Sequence, residues 1–213
     1  MNKKIIFSLI FLIAIIGIGV LIWFAADHCN WIIDIEDRGN CYSDIAQIKK
    51  DPDICKKITN KLQKGSCYRD VATIVKNLST CNQIEEEQLE TKQSCYFDVA
   101  VAKQDLAICD TIQEKINYYE YIDKFHCYAR VAFAKRDIHI CDQIPDSLIK
   151  SSCYVDIAGA KEDLSICEGI QNINTKDRCY STVVQNTRDF SICEKIQDQT
   201  MKDECYFAPI AVE

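Results

Sequence analysis

Residues 41–67 read CYSDIAQIKKDPDICKKITNKLQKGSC. Apolar and small residues follow the first Cys-Tyr pair at the spacing of one helical face. That face stops near Asp51, a preferred N-cap residue, and Pro52 suits the first position of a new helix. The stretch therefore predicts a long helix followed by a second, short helix that carries the motif Ile-Cys-x-x-Ile.

The same pattern continues on both sides of this stretch. The chain has 213 residues and 14 cysteines, and every second gap between successive cysteines is 14 residues, while the other gaps range from 12 to 18. Isoleucine stands three residues after every cysteine of one class, and tyrosine directly follows every cysteine of the other. This regularity is an internal repeat of about 26 residues. An Asp or Asn N-cap is predicted at Asp51, Asn77, Asp105, Asp137, Asp163 and Asp189.

The cysteine spacing also predicts the disulfide pairing. Pairing across the variable gaps uses all 14 cysteines, whereas pairing across the constant gaps leaves the first and last cysteines without partners. In a helical hairpin, Cys55 and Cys67 would lie level with each other, as the Cα separation of about 4.4–6.8 Å in a disulfide requires. We therefore predict seven disulfides: Cys29 with Cys41, Cys55 with Cys67, Cys81 with Cys95, Cys109 with Cys127, Cys141 with Cys153, Cys167 with Cys179 and Cys193 with Cys205.

An uncharged apolar segment precedes the repeats. Residues 5–26 read IIFSLIFLIAIIGIGVLIWFAA, which as a helix is long enough to cross a hydrocarbon core of about 30 Å. A cleaved secretory signal is the alternative, but its apolar region normally has about 7 to 15 residues and ends in an Ala-x-Ala-like site. Here the candidate site has Phe24 at its third-last position. We predict an uncleaved transmembrane signal-anchor helix, with Trp23 and Trp31 near the membrane interface.

The charges beside this segment predict its orientation. Lys3 and Lys4 precede it and acidic residues follow it, so residues 1–4 are predicted to be cytoplasmic and residues 27–213 extracytoplasmic. The outer part has 23 basic and 32 acidic residues, a net charge of about −9, which argues against nucleic acid as a partner. It also contains all the cysteines, and seven disulfides need an oxidising compartment such as a periplasm or cell surface.

The predicted fold class is all-α: a single N-terminal transmembrane helix followed by a disulfide-stapled array of helical hairpins. One hairpin cannot bury its apolar face alone, so neighbouring hairpins are expected to stack as in an α-solenoid. In general design this resembles the tetratricopeptide-like cysteine-rich solenoids of secreted bacterial proteins, although their repeats are longer and carry glycine signatures that are missing here. The tyrosine of each repeat is predicted to pack between repeats with a hydrogen-bonded hydroxyl.

Metal binding is the main alternative for a cysteine-rich chain. Zinc sites usually contain closely spaced cysteine or histidine pairs, whereas no two cysteines here are closer than 12 residues. A helical bundle could still pool thiolates for a soft metal such as copper(I). Aspartates three residues after the Cys-Tyr cysteine suggest a calcium site or, as we predict, a solvated face; they are Asp44, Asp70, Asp98 and Asp156.

The longest gap, of 18 residues, contains an insertion over residues 110–126. Insertions in repeat proteins often map to a binding face, and aromatic residues are enriched at interfaces. The alternative is a longer helix that folds these aromatic rings into the core. The predicted partner-binding residues of this insertion are Tyr118, Tyr119, Tyr121 and Phe125.

Nothing in the sequence predicts catalysis. Cys127 follows His126, but adjacent residues of a helix point about 100° apart, and Cys127 belongs to the disulfide series. We predict a membrane-anchored, extracytoplasmic and non-enzymatic scaffold that binds a protein or glycan and needs no cofactor or metal. The alternative function is a thiol-based copper- or zinc-binding protein, or a redox protein, of the cell envelope.

Overall fold

The computed structural model describes residues 28–112 and 123–207. Within these two ranges the secondary structure is helical and contains no strand, which confirms the all-α class for this part of the chain. No helix in the two ranges combines the length and the apolar character needed to span a membrane. The predicted cytoplasmic N-terminus, residues 1–4, and the predicted anchor, residues 5–26, lie outside the described residues.

Each repeat contains a longer helix and a short helical segment. The longer helices are α1 (Ile35–Lys49), α2 (Lys61–Val75), α3 (Leu89–Lys103), α4 (Lys124–Lys135), α5 (Ser147–Lys161), α6 (Ile173–Thr187) and α7 (Gln199–Phe207). The short segments are s1 (Cys29–Trp31), s2 (Pro52–Lys57), s3 (Leu78–Cys81), s4 (Leu106–Cys109), s5 (Ile138–Asp142), s6 (Leu164–Glu168) and s7 (Phe190–Lys195). One further 3₁₀ turn, Glu86–Gln88, leads into α3.

The chain divides into two compact units between Val99 and Ala100, within α3. In the first unit, α1 packs against α2, and s2 contacts both helices. In the second unit, α4 packs against α5 and α5 against α6, while s5 and s6 each contact the two helices that flank them in sequence. Within each unit, neighbouring helical hairpins therefore share a core, as the repeat predicts.

The same repeat positions form the core throughout. Val131 and Ala132, four and five residues after Cys127, are fully buried, and the equivalent apolar pairs are buried in α1, α2, α3, α5 and α6. The isoleucine three residues after the other cysteine is buried in every repeat but the first, as Ile58 and Ile144 illustrate, whereas Ile32 is partly exposed. These residues are the apolar stripe that the sequence predicts.

Each predicted cap residue begins a short segment. The Asp163 carboxylate accepts a hydrogen bond from the Ser165 backbone N–H at 3.0 Å, and Asp51, Asn77, Asp105, Asp137 and Asp189 cap their segments in the same way. The residue before each cap ends the preceding long helix in the left-handed region, as Glu162 does with φ of 56°. The backbone N–H of its neighbour Asp163 donates a hydrogen bond to the Ala158 carbonyl oxygen. This bond satisfies one of the last carbonyl groups of the helix.

This helix end explains why every second cysteine gap is invariant. All residues of that gap belong to a long helix, a left-handed residue, a cap and a short segment, so an added residue would disturb helical packing. The other gap crosses the hairpin connection, which can lengthen without moving the cysteines. The cysteines pair across this variable gap in all seven predicted disulfides, with Cα separations of 5.5 to 5.9 Å. The predicted pairing is confirmed.

Candidate partner-binding site

The predicted partner-binding residues fall into two groups. Tyr118, Tyr119 and Tyr121 lie outside the described residues, so their role stays a prediction. Phe125 lies in the first turn of α4, where it is partly buried. Its ring contacts Tyr128 edge to face, with 6.2 Å between ring centroids and 79° between ring planes. Phe125 is therefore anchored to its own helix.

Three interactions join the two ends of the insertion. The Cys109–Cys127 disulfide brings the two Cα atoms to 5.6 Å. One carboxylate oxygen of Asp110 lies 2.7 Å from the Lys124 ammonium and accepts a hydrogen bond of 2.7 Å from the Tyr128 hydroxyl. Both ends of the insertion are thus fixed to one stapled hairpin.

The electrostatics of this hairpin favour a charged carboxylate beside a neutral phenol. Hydrogen bonds from Lys124 and then Tyr128 lower the pKa of Asp110. Burial, and then the hydrogen bond to Asp110, raise the pKa of Tyr128. The Lys124 ammonium also lies 5.6 Å from the centroid of the Tyr128 ring, within the range of a cation–π contact. At neutral pH, Tyr128 is therefore a hydrogen-bond donor to a fixed anion.

Asp123 begins the helix on the far side of the insertion. Its Oδ1 accepts hydrogen bonds of 2.8 Å from the backbone N–H groups of Phe125 and His126, and its Oδ2 lies 2.9 Å from His126 Nδ1. Burial raises the pKa of Asp123, but the hydrogen bonds and charge of His126 and the Phe125 N–H together outweigh burial, so the net pKa is lowered. Asp123 is both the N-cap of α4 and an ionised group at the boundary of the insertion.

The Asp110–Tyr128 bond is one case of a rule within the repeat. The tyrosine after the second cysteine of a hairpin donates its hydroxyl to the residue directly after the first cysteine, parallel to the disulfide. These donor–acceptor pairs are Tyr42–Asn30, Tyr96–Asn82, Tyr128–Asp110, Tyr154–Asp142 and Tyr206–Glu194. The predicted hydrogen-bonded hydroxyl is therefore confirmed in these repeats, but its partner lies in the same hairpin. Burial, and then the bond to Asp142, raise the pKa of Tyr154 to about 12.

The aspartates considered for calcium lie on a polar face of the long helices. Asp98 pairs with Arg69 at 3.1 Å, and the Gln47 amide donates to Asp70 at 3.4 Å. Burial raises the pKa of Asp70, Asp98 and Asp156, although neighbouring arginines oppose this effect. In residues 28–112 and 123–207, no three His, Cys, Asp or Glu side chains are grouped to hold a metal ion.

The exposed and partly exposed side chains described around the insertion are polar, charged or aromatic, and they include no free thiol. Cys127 lies next to His126, but its sulfur is bonded to Cys109 and so is not a thiolate nucleophile. The described groups are carboxylates, one imidazole and an ammonium, beside two aromatic rings. Such groups can make hydrogen bonds, ion pairs and ring contacts with a partner.

Sequence reasoning missed part of this arrangement. Asp110 looks like an ordinary surface residue, yet it joins the two ends of the insertion. The available signal was the residue directly after the first cysteine, which is polar or charged in all seven repeats and includes Asn30, Asn82 and Asp142.

The fold and the disulfide pattern define an all-α, disulfide-stapled protein of helical-hairpin repeats. No protein-family model matches the sequence, and neither the curated proteins nor the solved structures give a significant match.

Proposed function

We propose that this protein is a non-enzymatic scaffold of the cell envelope that binds a protein or glycan partner through the insertion at residues 110–126. In this proposal residues 5–26 form a single membrane-spanning anchor, residues 1–4 are cytoplasmic, and residues 27–213 form a solenoid-like array outside the cytoplasm, in a periplasm or at a cell surface. The charges that flank the apolar segment support this orientation.

The disulfides support the proposed compartment. Every cysteine of the chain follows the apolar segment, and all 14 pair with one another. Such a set of structural disulfides persists in oxidising compartments and is rare in reducing ones. The same pairing leaves no free thiolate for the soft-metal or redox alternative, so we favour the scaffold.

One observation carries the proposed binding site: one hairpin is six residues longer than the common length while its staple is kept, and the Cys81–Cys95 hairpin is longer by only two. The Cys109–Cys127 gap is 18 residues, whereas five of the other six hairpins close with 12. The extra residues bring three tyrosines and the acidic residues Glu114 and Glu120. Tyrosine combines a large apolar ring with a hydroxyl, a combination that suits both sugar rings and polar protein surfaces.

The proposed site can be tested by restoring the common hairpin length. Deletion of residues 115–120 reduces the Cys109–Cys127 gap to the 12 residues found in five of the other hairpins, so the staple should still form. We expect this deletion, and the triple change Tyr118→Ala, Tyr119→Ala and Tyr121→Ala, to lower partner capture at least tenfold. Capture would be measured by photo-crosslinking from position 114, which no variant alters, in the intact envelope, and on immobilised glycans.

Two controls make this test specific. Phe207→Ala removes an exposed aromatic ring from the last helix and should leave capture unchanged. Changing the same three tyrosines to phenylalanine separates the contribution of the rings from that of the hydroxyls. If the deletion variant retains its disulfides and captures partners as the unmodified protein does, the insertion is not the binding site.

A further inference from the structure

The first repeat differs from the others at two exposed positions. Trp31 stands two residues after its first cysteine and is 84% exposed, and Ile33 stands four residues after it and is 94% exposed. Two exposed side chains of this size so close together expose apolar surface with no partner in the described fold. Ile35, at the start of α1, adds a third side chain that is 57% exposed.

The other six repeats provide an internal comparison for these positions. None of them has a large apolar residue at either one. The residues equivalent to Trp31 are Lys57, Gln83, Thr111, Gln143, Gly169 and Lys195. The residues equivalent to Ile33 are Thr59, Glu85, Gln113, Pro145, Gln171 and Gln197. Trp31 and Ile33 are therefore not needed for the repeat fold, because the other six repeats form without a large apolar side chain at these positions.

The place of this repeat in the chain indicates what covers the exposed side chains. Only five residue steps separate Trp31 from Ala26, the last residue of the uncharged apolar segment. Five steps span at most about 17 Å, and the 3₁₀ turn Cys29–Trp31 shortens that reach. A bilayer interface is roughly 5–7 Å thick on each side of its hydrocarbon core. If residues 5–26 span the membrane, Trp31 is held close to that interface.

From these observations we infer that Trp31 and Ile33 insert into the outer face of the lipid bilayer and hold the first repeat against the membrane. This inference rests on the proposed anchor. Tryptophan is enriched at membrane interfaces because its ring is apolar and its N–H is polar. Asp34, which caps α1, and the neighbouring Glu36 carry negative charge beside the two apolar residues. That charge keeps the insertion shallow, and it would be repelled by anionic lipid, so a neutral bilayer suits this contact.

Trp31 itself can report on its surroundings. The chain has only two tryptophans, so Trp23→Phe leaves Trp31 as the single tryptophan of the full chain. This variant would be reconstituted in phosphatidylcholine vesicles with and without bromine on the upper part of the acyl chains. We expect the fluorescence emission of Trp31 to lie at shorter wavelength than that of a tryptophan exposed to water. We also expect at least threefold stronger quenching by brominated lipid than by iodide in the aqueous phase.

The matched control moves the tryptophan to the equivalent position of another repeat. In a chain with both native tryptophans changed to phenylalanine, Gln143→Trp should be quenched by iodide and hardly affected by brominated lipid. If Trp31 behaves like this control, the inference is wrong. If Trp31 is shielded from both quenchers, another protein surface or a second copy of the chain covers it, and the inference is also wrong.

Flotation of the same samples separates this inference from the proposed anchor. Vesicles washed at alkaline pH and floated through a density gradient retain only proteins that are embedded in the membrane. If the chain floats while iodide still quenches Trp31, the contact of the first repeat with the membrane is refuted, but the proposed anchor is supported. A chain that stays at the bottom of the gradient refutes the anchor, and with it the inference.

Discussion

At the scale of single residues, the least expected feature is the left-handed residue that ends the long helices. Six non-glycine residues of the described chain have φ between 53° and 60°: Lys50, Lys76, Gln104, Arg136, Glu162 and Arg188. Each stands nine residues after a Cys-Tyr cysteine, directly before the cap of the next short segment. Side chains with a Cβ disfavour this conformation, so the fold imposes it on residues that would otherwise avoid it.

Glycine at these positions should therefore stabilise the folded protein. Glu162 is exposed, and Glu162→Gly removes the Cβ that opposes its φ of 56°. We expect the free energy of unfolding to rise by up to about 1 kcal/mol, since the relief of strain exceeds the extra entropy of the unfolded chain. Denaturant unfolding with the disulfides intact measures this change.

The neighbouring residue provides the control for this substitution. Lys161 is the last residue of α5 and has helical geometry, so Lys161→Gly should lower stability by about 1 kcal/mol. Equal destabilisation by the two glycine variants would contradict the argument from backbone strain.

At the scale of elements, five of the seven hairpins are held by two parallel links, a disulfide and a tyrosine hydroxyl bond between the residues that follow the two cysteines. In the second unit this pattern is seen at Cys141–Cys153 with Tyr154 and Asp142. The helix that follows each connection still needs its own N-cap, because its first backbone N–H groups have no partner within the helix. Asp123 serves this purpose where the connection is longest.

The stability that Asp123 provides should depend on pH. Its pKa is lowered in the folded state, so its contribution is complete above its unfolded pKa of about 3.9 and is lost as the pH falls through the folded value. Asp123→Asn keeps a capping oxygen but removes the titrating group. We expect the variant to be less stable than the unmodified protein at neutral pH, with a difference that shrinks as the pH falls below about 4.

Thermal unfolding from neutral to acidic pH measures this difference. Asp105→Asn is a suitable comparison, because Asp105 caps s4 on the other side of the insertion through the Ala107 N–H alone. A difference between Asp123→Asn and the unmodified protein that stays constant down to the lowest pH would contradict the role of the Asp123 charge.

At the scale of the whole molecule, the repeats form two compact units, each built from neighbouring helical hairpins that share a core. Such arrays gain stability mainly from contacts between adjacent repeats, and thin hairpins bury little apolar surface alone. A disulfide in every hairpin compensates for this, because a closed loop of about a dozen residues stabilises the fold by about 3 kcal/mol in the chain-entropy model.

Complete oxidation is therefore an expected property of the native protein. Alkylation in denaturant without reduction should add no group to the intact mass, and alkylation after reduction should add fourteen. Cys193→Ala leaves the sulfur of Cys205 without its partner and should gain one group without reduction, which checks the assay. Several alkylated cysteines, or copper or zinc bound to the purified protein, would favour the thiol-based alternative.

The apolar stripe, the Asp and Asn cap residues and the cysteine spacing were together sufficient to predict the helical hairpins, the N-caps of the short segments and the disulfide pairing. They were sufficient because helix length, cap chemistry and disulfide geometry are local constraints that repeat along the chain, as residues 41–67 illustrate. The apolar segment at residues 5–26 and the tyrosines of the insertion are also evident in the sequence, but they lie outside the described residues and their roles stay predictions.

Only the tertiary structure decided which polar side chains bond to each other and which apolar side chains stay exposed once the hairpins pack. The bond from Tyr128 to Asp110 depends on how the two sides of the hairpin meet across a disulfide, and the repeated polar residue after the first cysteine does not by itself name its partner. The exposure of Ile33 has the same origin, because an apolar residue in a sequence is normally expected in the core, whereas Trp31 was expected near a membrane interface. Burial is a property of the packed chain, and for these residues it had to be observed.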